Sequence, residues 1–374
     1  MRYLSLFSGI EAASVAWHGL GWTPVAFAEV EPFPSAVLAE RFPEVPNLGD
    51  VTKFKEWNIN ESIDLIVGGS PCQSFSVAGL RNGMDDPRGN LALTYLAIVD
   101  KYRPKWIVWE NVPGVLSSNR GRDFGSFIGA LDEIGYGYAW RVLDAQYCRT
   151  PDYPRAVPQR RRRVFVVGSL RSAGCAGAVL FDSESLSGNP PPSRSKRETA
   201  PLSIASSSRS DDELIYQEVV GALCADDRKQ VQNQTIDQHK LIVTDKPATA
   251  FKIRGGSERE TGKQGGKVGR KAGKGYLGSD KTAFTVAATQ DQQIFASNQV
   301  RRLTPIECER LQGFPDNWTQ IPWRGKDASE CSEAPRYKAI GNSMAVNVMQ
   351  WIGLRLAIVE DILECTTKTS EDGR

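Results

Sequence analysis

Ile63-Asp64-Leu65-Ile66-Val67-Gly68-Gly69-Ser70-Pro71-Cys72-Gln73-Ser74-Phe75-Ser76 is an apolar strand pattern that breaks into a polar loop carrying a thiol. The apolar half reads as a strand buried on both faces, as in parallel sheets covered by helices. In open α/β sheets ligands bind at the carboxyl edge of such strands, which is where this loop begins. Pro71 fixes the backbone before the thiol, Gly68 and Gly69 allow close approach of a ligand, and Gln73, Ser74 and Ser76 are polar. A lone buried cysteine is most often structural. This setting instead suits a nucleophile that attacks as the thiolate.

The same alternation extends in both directions. Tyr3–Phe7, Pro24–Glu29, Trp106–Trp109, Tyr138–Leu143 and Arg163–Val167 read as strands. Ala12–Leu20 (ended by Gly21), Phe33–Phe42, Leu91–Tyr102 and Phe124–Ile134 read as helices between them. Short apolar runs alternating with helical segments predict βαβ units and a mostly parallel sheet. The pattern stops near Leu170. Asp182–Asp212 holds ten serines and the triple proline Pro190-Pro191-Pro192, the composition of a linker. Strand-like pieces follow at Leu241–Val243, Thr249–Ile253 and Thr282–Ala287, with nine basic residues, three acidic ones and nine glycines between Lys252 and Lys281. Helical periodicity returns at Thr304–Gln312 and Ala345–Val359, and the last helix is expected to pack back on the first sheet. The expected domains are residues 1–175, an inserted unit at 176–298 with a flexible 182–212 linker, and a return to the first domain at 299–374.

Composition narrows the class. The chain has 374 residues, 40% hydrophobic and 9% aromatic, enough for two domains with real cores. It has no run of about 18 apolar residues, so no membrane span is expected. The segment from Met1 enters a strand pattern at once and lacks the apolar region of a signal peptide. Seven scattered cysteines without a C-x-x-C pair point to a reducing cytoplasm. With His18 and His239 as the only histidines, no metal site is expected.

Three turns in succession suit a nucleoside. Phe7-Ser8-Gly9-Ile10-Glu11 follows the first strand, Glu29 ends the second where such folds hold ribose hydroxyls, and Gly49-Asp50-Val51 adds another carboxylate. No G-x-x-x-x-G-K-[ST] is present, so a ligand with adenosine and no phosphates fits best. Glu110 follows the apolar run Trp106–Trp109, and desolvation there would raise its pKa toward that of a neutral-pH acid. Gln159-Arg160-Arg161-Arg162-Arg163 leads into a strand, which places Arg161 and Arg163 on one face, suited to phosphate or base-edge contact.

In this order the motifs resemble those of the DNA (cytosine-5)-methyltransferases, over nearly the whole chain. Phe7-Ser8-Gly9 is similar to that family's first motif, Glu29 and Asp50 to the next two, and Pro71-Cys72-Gln73 to its catalytic motif. Glu110-Asn111-Val112, Gln159–Arg163, Arg302-Leu303-Thr304-Pro305-x-Glu307 with Arg310–Pro315, and Ala339–Met344 with Val346 continue the series. Gly9-Ile10-Glu11 departs from the Gly-x-Gly of many relatives.

The resemblance implies a Rossmann-like methyltransferase domain with a smaller inserted target-recognition domain. It implies Cys72 as nucleophile, Glu110 as acid, and Arg161 and Arg163 at the base or its phosphates. It places S-adenosylmethionine among Phe7, Gly9, Ile10, Glu29, Val30, Asp50, Val51, Pro71, Leu91, Asn342 and Ser343. Double-stranded DNA would meet Gln73, Ser76, Arg254, Lys263, Lys267, Arg270, Lys271 and Lys274. A monomer acting in a bacterial or phage-infected cell is expected, with a cognate restriction endonuclease as a possible companion.

An RNA cytosine methyltransferase of the same fold is the alternative; an insertion of about 120 residues, the size of a domain, favours duplex DNA. A catalytically silent DNA-binding protein is a further rival, against which stand Cys72 and Glu110. A nicotinamide oxidoreductase lacks its diphosphate loop, and a zinc deaminase lacks H-x-E and P-C-x-x-C.

Overall fold

The computed structural model describes residues 1–71, 91–181, 249–253, 276–279, 283–284, 292–296 and 299–371. Cys72, Gln73, Ser76, Arg254, Lys263, Lys267, Arg270, Lys271 and Lys274 lie outside the described residues, as do the 182–212 linker and the strand expected at Leu241–Val243. The chain divides into two compact units. Met1–Leu186, Ala283–Gln290 and Thr304–Arg374 form the first, and Ser187–Thr282 with Asp291–Leu303 the second.

The first unit begins β1 (Arg2–Leu6), α1 (Ala12–Trp17), β2 (Thr23–Ala28), α2 (Pro32–Arg41), β3 (Leu65–Gly68), α3 (Leu91–Tyr102), β4 (Trp106–Asn111) and α4 (Arg122–Glu133). It continues with β5 (Gly137–Asp144), β6 (Gln159–Arg160), β7 (Arg162–Ser169) and α5 (Ala173–Leu180). Six strands form one sheet in the order β2-β1-β3-β4-β7-β5. Neighbours run parallel through β4, whereas β7 is antiparallel to both β4 and β5. The chain leaves β1 toward β2 and later returns to β1's other side as β3. The crevice between β1 and β3 is therefore the switch point at which such sheets bind ligands. Tyr3, Leu4, Leu6, Leu65–Val67 and Trp106–Trp109 have no exposed surface, as strands covered on both faces require.

Residues 249–302 contribute β8 (Thr249–Ile253), β9 (Tyr276–Ser279), β10 (Ala283–Phe284), β11 (Gln292–Ala296) and β12 (Gln299–Arg302). Four of them make the antiparallel sheet β12-β11-β8-β9 of the second unit. Residues 283–290, expected within the insertion, group with the first unit: Ala283 and Phe284 pair with Gln159 and Arg160.

The first unit resumes with α6 (Pro305–Gln312), α7 (Glu333–Asn342) and α8 (Val346–Glu371). As expected, the last helix docks on the first sheet's layer. Trp17 Nε1 donates to the Met349 carbonyl at 2.8 Å, and Trp106 Nε1 to Glu360 Oε1 at 2.7 Å. Met349, Trp351, Ile352 and Leu356 are buried, each worth about 1.5–3 kcal/mol relative to exposure. Gly353 is needed at this crossing, because a Cβ there would lie 2.4 Å from Trp17 Cδ1 and Nε1. The C-terminal end of α7, Gly341 and Asn342, lines the cavity at the carboxyl edge of the sheet.

Candidate active site

A cavity of about 1030 Å³ opens at the carboxyl edge of β1–β4. Phe7, Gly9, Glu29, Val30, Asp50, Val51, Pro71, Leu91, Glu110, Arg161, Arg163 and Asn342 all line it. They come from eight separate stretches of the sequence, and the fold brings them together. Two expected residues fall elsewhere. Ile10 is fully buried in the core and its carbonyl accepts from Trp318 Nε1 at 2.9 Å. Ser343 lines a small adjoining cavity of about 40 Å³ with Ser5, Glu11 and Glu110. Cys72 follows directly on Pro71 in the chain.

The turn after β1 holds three left-handed residues, Phe7 (φ 53°), Gly9 (φ 58°) and Glu11 (φ 64°). Two of them are not glycine, so the conformation needs support from neighbours. Ser8 Oγ donates to the Ser5 carbonyl at 2.9 Å and accepts from the Ala28 amide at 3.1 Å, which ties the turn to β2. The Glu11 carboxylate caps α1, accepting from Ser14 N at 3.1 Å and from Ser5 Oγ at 2.7 Å. Burial pushes the Glu11 carboxyl up to about 7, and its hydrogen bonds to Ser5 and Ser14 oppose the shift. Glu11 thus caps α1 and borders only the small adjoining cavity, not the large one.

At the end of β2, Glu29 Oε2 accepts from the Gly9 amide at 2.8 Å and Oε1 from the Glu31 amide at 2.7 Å. A carboxylate has about four acceptor sites, so two amides leave capacity for two hydroxyls. Val30 beside it is 64% exposed, an apolar face open to a flat ligand. Asp50 Oδ1 is held by the Thr52 amide at 2.9 Å.

The loop leaving β3 is set by β4. Trp109 Nε1 donates to Ser70 Oγ at 3.0 Å, and Asn111 Nδ2 to the Ser70 carbonyl at 3.0 Å. Two side chains of one strand therefore fix the residue two before Cys72. Gly68 and Gly69 were expected to admit a ligand, but their missing side chains make room for the protein itself. A Cβ at Gly68 would lie 2.6 Å from the Leu6 carbonyl oxygen, and one at Gly69 would lie 2.8 Å from Glu110 Oε2.

Glu110 Oε1 meets Arg163 Nε at 3.0 Å, and both side chains are largely buried. Burial raises the Glu110 pKa, and the charges of Arg163 and Arg161 hold it back. Arg161 is 2% exposed and donates from Nη2 to the carbonyls of Ser343 at 2.6 Å and Gly341 at 3.2 Å. Burial, then the charge of Arg163, lower its pKa, with Glu110 opposing. Arg161 lies between β6 and β7 rather than within a strand, and both it and Arg163 line the cavity. Arg163 is engaged by the acid and Arg161 by the 341–343 turn.

Sequence reasoning missed Trp323, Arg324, Lys326 and Lys338, which also line the cavity. They lie in a region without apolar periodicity, and only tertiary packing brings them in. Among the described residues no cluster of three His, Cys, Asp or Glu could hold a metal, and no helix is long and apolar enough to cross a membrane.

An open, mostly parallel sheet with a ligand cavity at its switch point is a Rossmann-like fold. The chain belongs to the C-5 cytosine-specific DNA methylase family, whose model matches residues 1–357. It is 36% identical to an Escherichia phage P1 protein named DNA N-6-adenine-methyltransferase, across 95% of this chain and 61% of that protein. It is 29% identical to the type II methyltransferase M2.BsuMI of Bacillus subtilis, across 96% of this chain and 75% of that one. Identity to the type II methyltransferase M.HhaI of Haemophilus parahaemolyticus is 26%, across 95% and 94% of the two chains. The fold is similar to the crystal structure of S. pombe Dnmt2 methyltransferase, with TM-score 0.53 and 16% identity over 96% of this chain and 99% of that one. It is equally similar to that of an E. coli prophage DNA modification methyltransferase, with TM-score 0.53 and 18% identity over 96% and 99%.

Proposed function

We propose that the protein transfers a methyl group from S-adenosylmethionine to C5 of cytosine within a specific double-stranded DNA sequence. The observation that carries this reading is the Glu110–Arg163 pair at 3.0 Å, a desolvated carboxyl in the wall of the cavity that Pro71 also lines, one residue before Cys72. The cavity suits the cofactor's shape and charge. Phe7, Val30, Val51 and Leu91 offer apolar walls for a purine, Glu29 and Asp50 offer acceptors for hydroxyl and amino groups, and Asn342 lies in the return segment. When bound, S-adenosylmethionine supplies an electrophilic methyl group for C5.

The chain's own residues supply the rest. Cytosine C5 is a weak nucleophile until its ring is activated. The Cys72 thiolate adds to C6, and the C5–C6 π pair moves into the ring, where charge develops at N3 and O2. Glu110, whose protonated form is favoured by burial, donates to N3 and stabilises that charge. After methyl transfer a base takes the C5 proton, the C5–H pair re-forms the C5–C6 double bond as the C6–S bond breaks and the thiolate leaves, and the N3 proton returns to Glu110. Arg163 holds the acid in place, and Arg161 acts as a positioning residue by fixing the 341–343 turn. The target base must leave the duplex stack, at a cost of a few kcal/mol. The basic segment Lys252–Lys281 would neutralise phosphates and carry the sequence-reading loops.

The phage P1 relative's name favours a second reading, methylation of adenine N6, an amine that needs no thiol addition. Mass spectrometry of nucleosides from DNA of cells expressing the chain separates the two. 5-Methyldeoxycytidine supports the proposal, and N6-methyldeoxyadenosine alone refutes it. Parallel incubation of DNA and tRNA with labelled cofactor tests the RNA alternative.

A further inference from the structure

The cavity has a wall that the motifs do not account for. Trp323 and Lys326 exchange backbone hydrogen bonds, Trp323 N to Lys326 O at 3.0 Å and Lys326 N to Trp323 O at 3.1 Å. Between them Arg324 (φ 53°) and Gly325 (φ 75°) are both left-handed, the signature of a tight two-residue hairpin. Trp323, Arg324 and Lys326 all line the cavity. The indole is half-buried and stands edge-on to Phe33, with ring centroids 5.1 Å apart at 89°. The Arg324 guanidinium lies over the indole at 5.4 Å.

Position along the sheet says which part of the cavity this wall covers. The order β2-β1-β3-β4 puts Glu29 and the first turn of α2 at one end and Glu110 at the other. Three strand spacings separate the ends, about 14 Å. Trp323 is anchored on Phe33, in the first turn of α2, so it belongs to the β2 end, away from the reacting groups. A second tie crosses the same end, where Lys338 Nζ meets Glu31 Oε2 at 2.7 Å.

We propose that Trp323 forms the outer wall of the nucleoside half of the cavity and packs against the purine of the bound cofactor. The inference rests on the reading that the cavity takes S-adenosylmethionine. An indole held by a T-shaped contact and a cation over its ring is a rigid apolar surface that loses little entropy on binding. At this end exposed Val30 offers a small aliphatic face, and the hairpin adds an aromatic one to those of Phe7 and Phe33.

The test is calorimetric titration of S-adenosylhomocysteine into the full chain and its W323A, W323F and W140A variants. Trp140 is 42% exposed on β5 and does not line the cavity. W323A is expected to weaken binding roughly tenfold, W323F less, and W140A not at all; a tenfold change is about 1.4 kcal/mol. Steady-state rates should show a raised KM for the cofactor with kcat at saturating cofactor unchanged. W323A and W323F binding within twofold of the unsubstituted chain would overturn the assignment while leaving the proposed function standing. No binding by the unsubstituted chain would remove the cofactor reading itself, and this inference with it.

Discussion

Arg163 Nε lies 3.0 Å from Glu110 Oε1 within the cavity wall, so the acid is both desolvated and paired. The two effects oppose each other, and burial wins: the Glu110 pKa is raised. A group with a raised pKa keeps its proton to higher pH, and the protonated form is the one that can donate to N3. The single-turnover methylation rate should therefore fall as pH rises through the Glu110 pKa. Glu110→Gln should slow it by roughly 10²–10⁴ and abolish that alkaline limb. Arg163→Ala removes a charge that lowers the pKa, so the limb should move to higher pH. A limb that stays in place in both variants would take Glu110 out of the chemistry.

Gly353→Ala probes how the C-terminal helix completes the fold. The added methyl would stand 2.4 Å from the Trp17 ring, whose Nε1 also bonds the Met349 carbonyl. Overpacking of this kind costs about 1–3 kcal/mol. The expected outcome is a Tm lowered by several degrees, read by thermal unfolding, with unchanged methylation per folded molecule. An unchanged Tm would show that α1 and α8 can part without cost.

Those contacts also show what sequence could and could not reveal. The strands β1–β4 were legible because each is an apolar run that gives way to glycine or polar residues at the ligand edge. The helix α3 was read to its last residue, since Leu91–Tyr102 is apolar on nearly every side. The helix α5 was missed because Ala-Gly-Cys-Ala-Gly-Ala-Val-Leu has two glycines and little periodicity. It forms because β5 leaves room for it: a Cβ at Gly137 would lie 2.1 Å from Ala173 N. The helix α7 was legible only as a motif. It is polar and contains Pro335 and Gly341, and is held by tertiary bonds such as Arg336 Nη2 to Glu309 Oε1 at 3.3 Å. In the site, Glu29 and Glu110 could be read from their place after strands. The Ser70 clamp and Trp323 could not, because both depend on residues far apart in the chain.

Glu11 carries a pH dependence of stability. Its folded pKa is about 7 against 4.5 for the free side chain, raised mainly by burial. The favourable, protonated state is fully present below about pH 4.5 and is lost as pH rises through about 7. A shift of that size corresponds to at most about 3 kcal/mol. Glu11→Gln keeps an acceptor and a donor for Ser14 and Ser5 and cannot ionise. Its Tm relative to the unsubstituted chain should rise between about pH 4.5 and about pH 7 and level off above, the window set by those pKa values. A difference that does not change with pH would mean that Glu11 is charged throughout, as an ordinary cap would be.

Neutralising Lys263, Lys267, Arg270, Lys271 and Lys274 together should weaken DNA binding and flatten its dependence on salt. Each lost phosphate contact removes about 0.9 from the slope of log K against log salt. Filter-binding titrations between low and physiological salt would measure it. An unchanged slope would place the basic segment away from the phosphates.

The most direct test addresses the thiol. DNA in which the target cytosine carries fluorine at C5 blocks the loss that ends the reaction, so the C6–sulfur bond should persist. With S-adenosylmethionine present, mass spectrometry of the digested complex is expected to find one nucleotide adduct, on the peptide containing Cys72, and none in Cys72→Ser. A preparation that methylates ordinary DNA yet yields no adduct at Cys72, or one elsewhere, would contradict covalent catalysis by this residue.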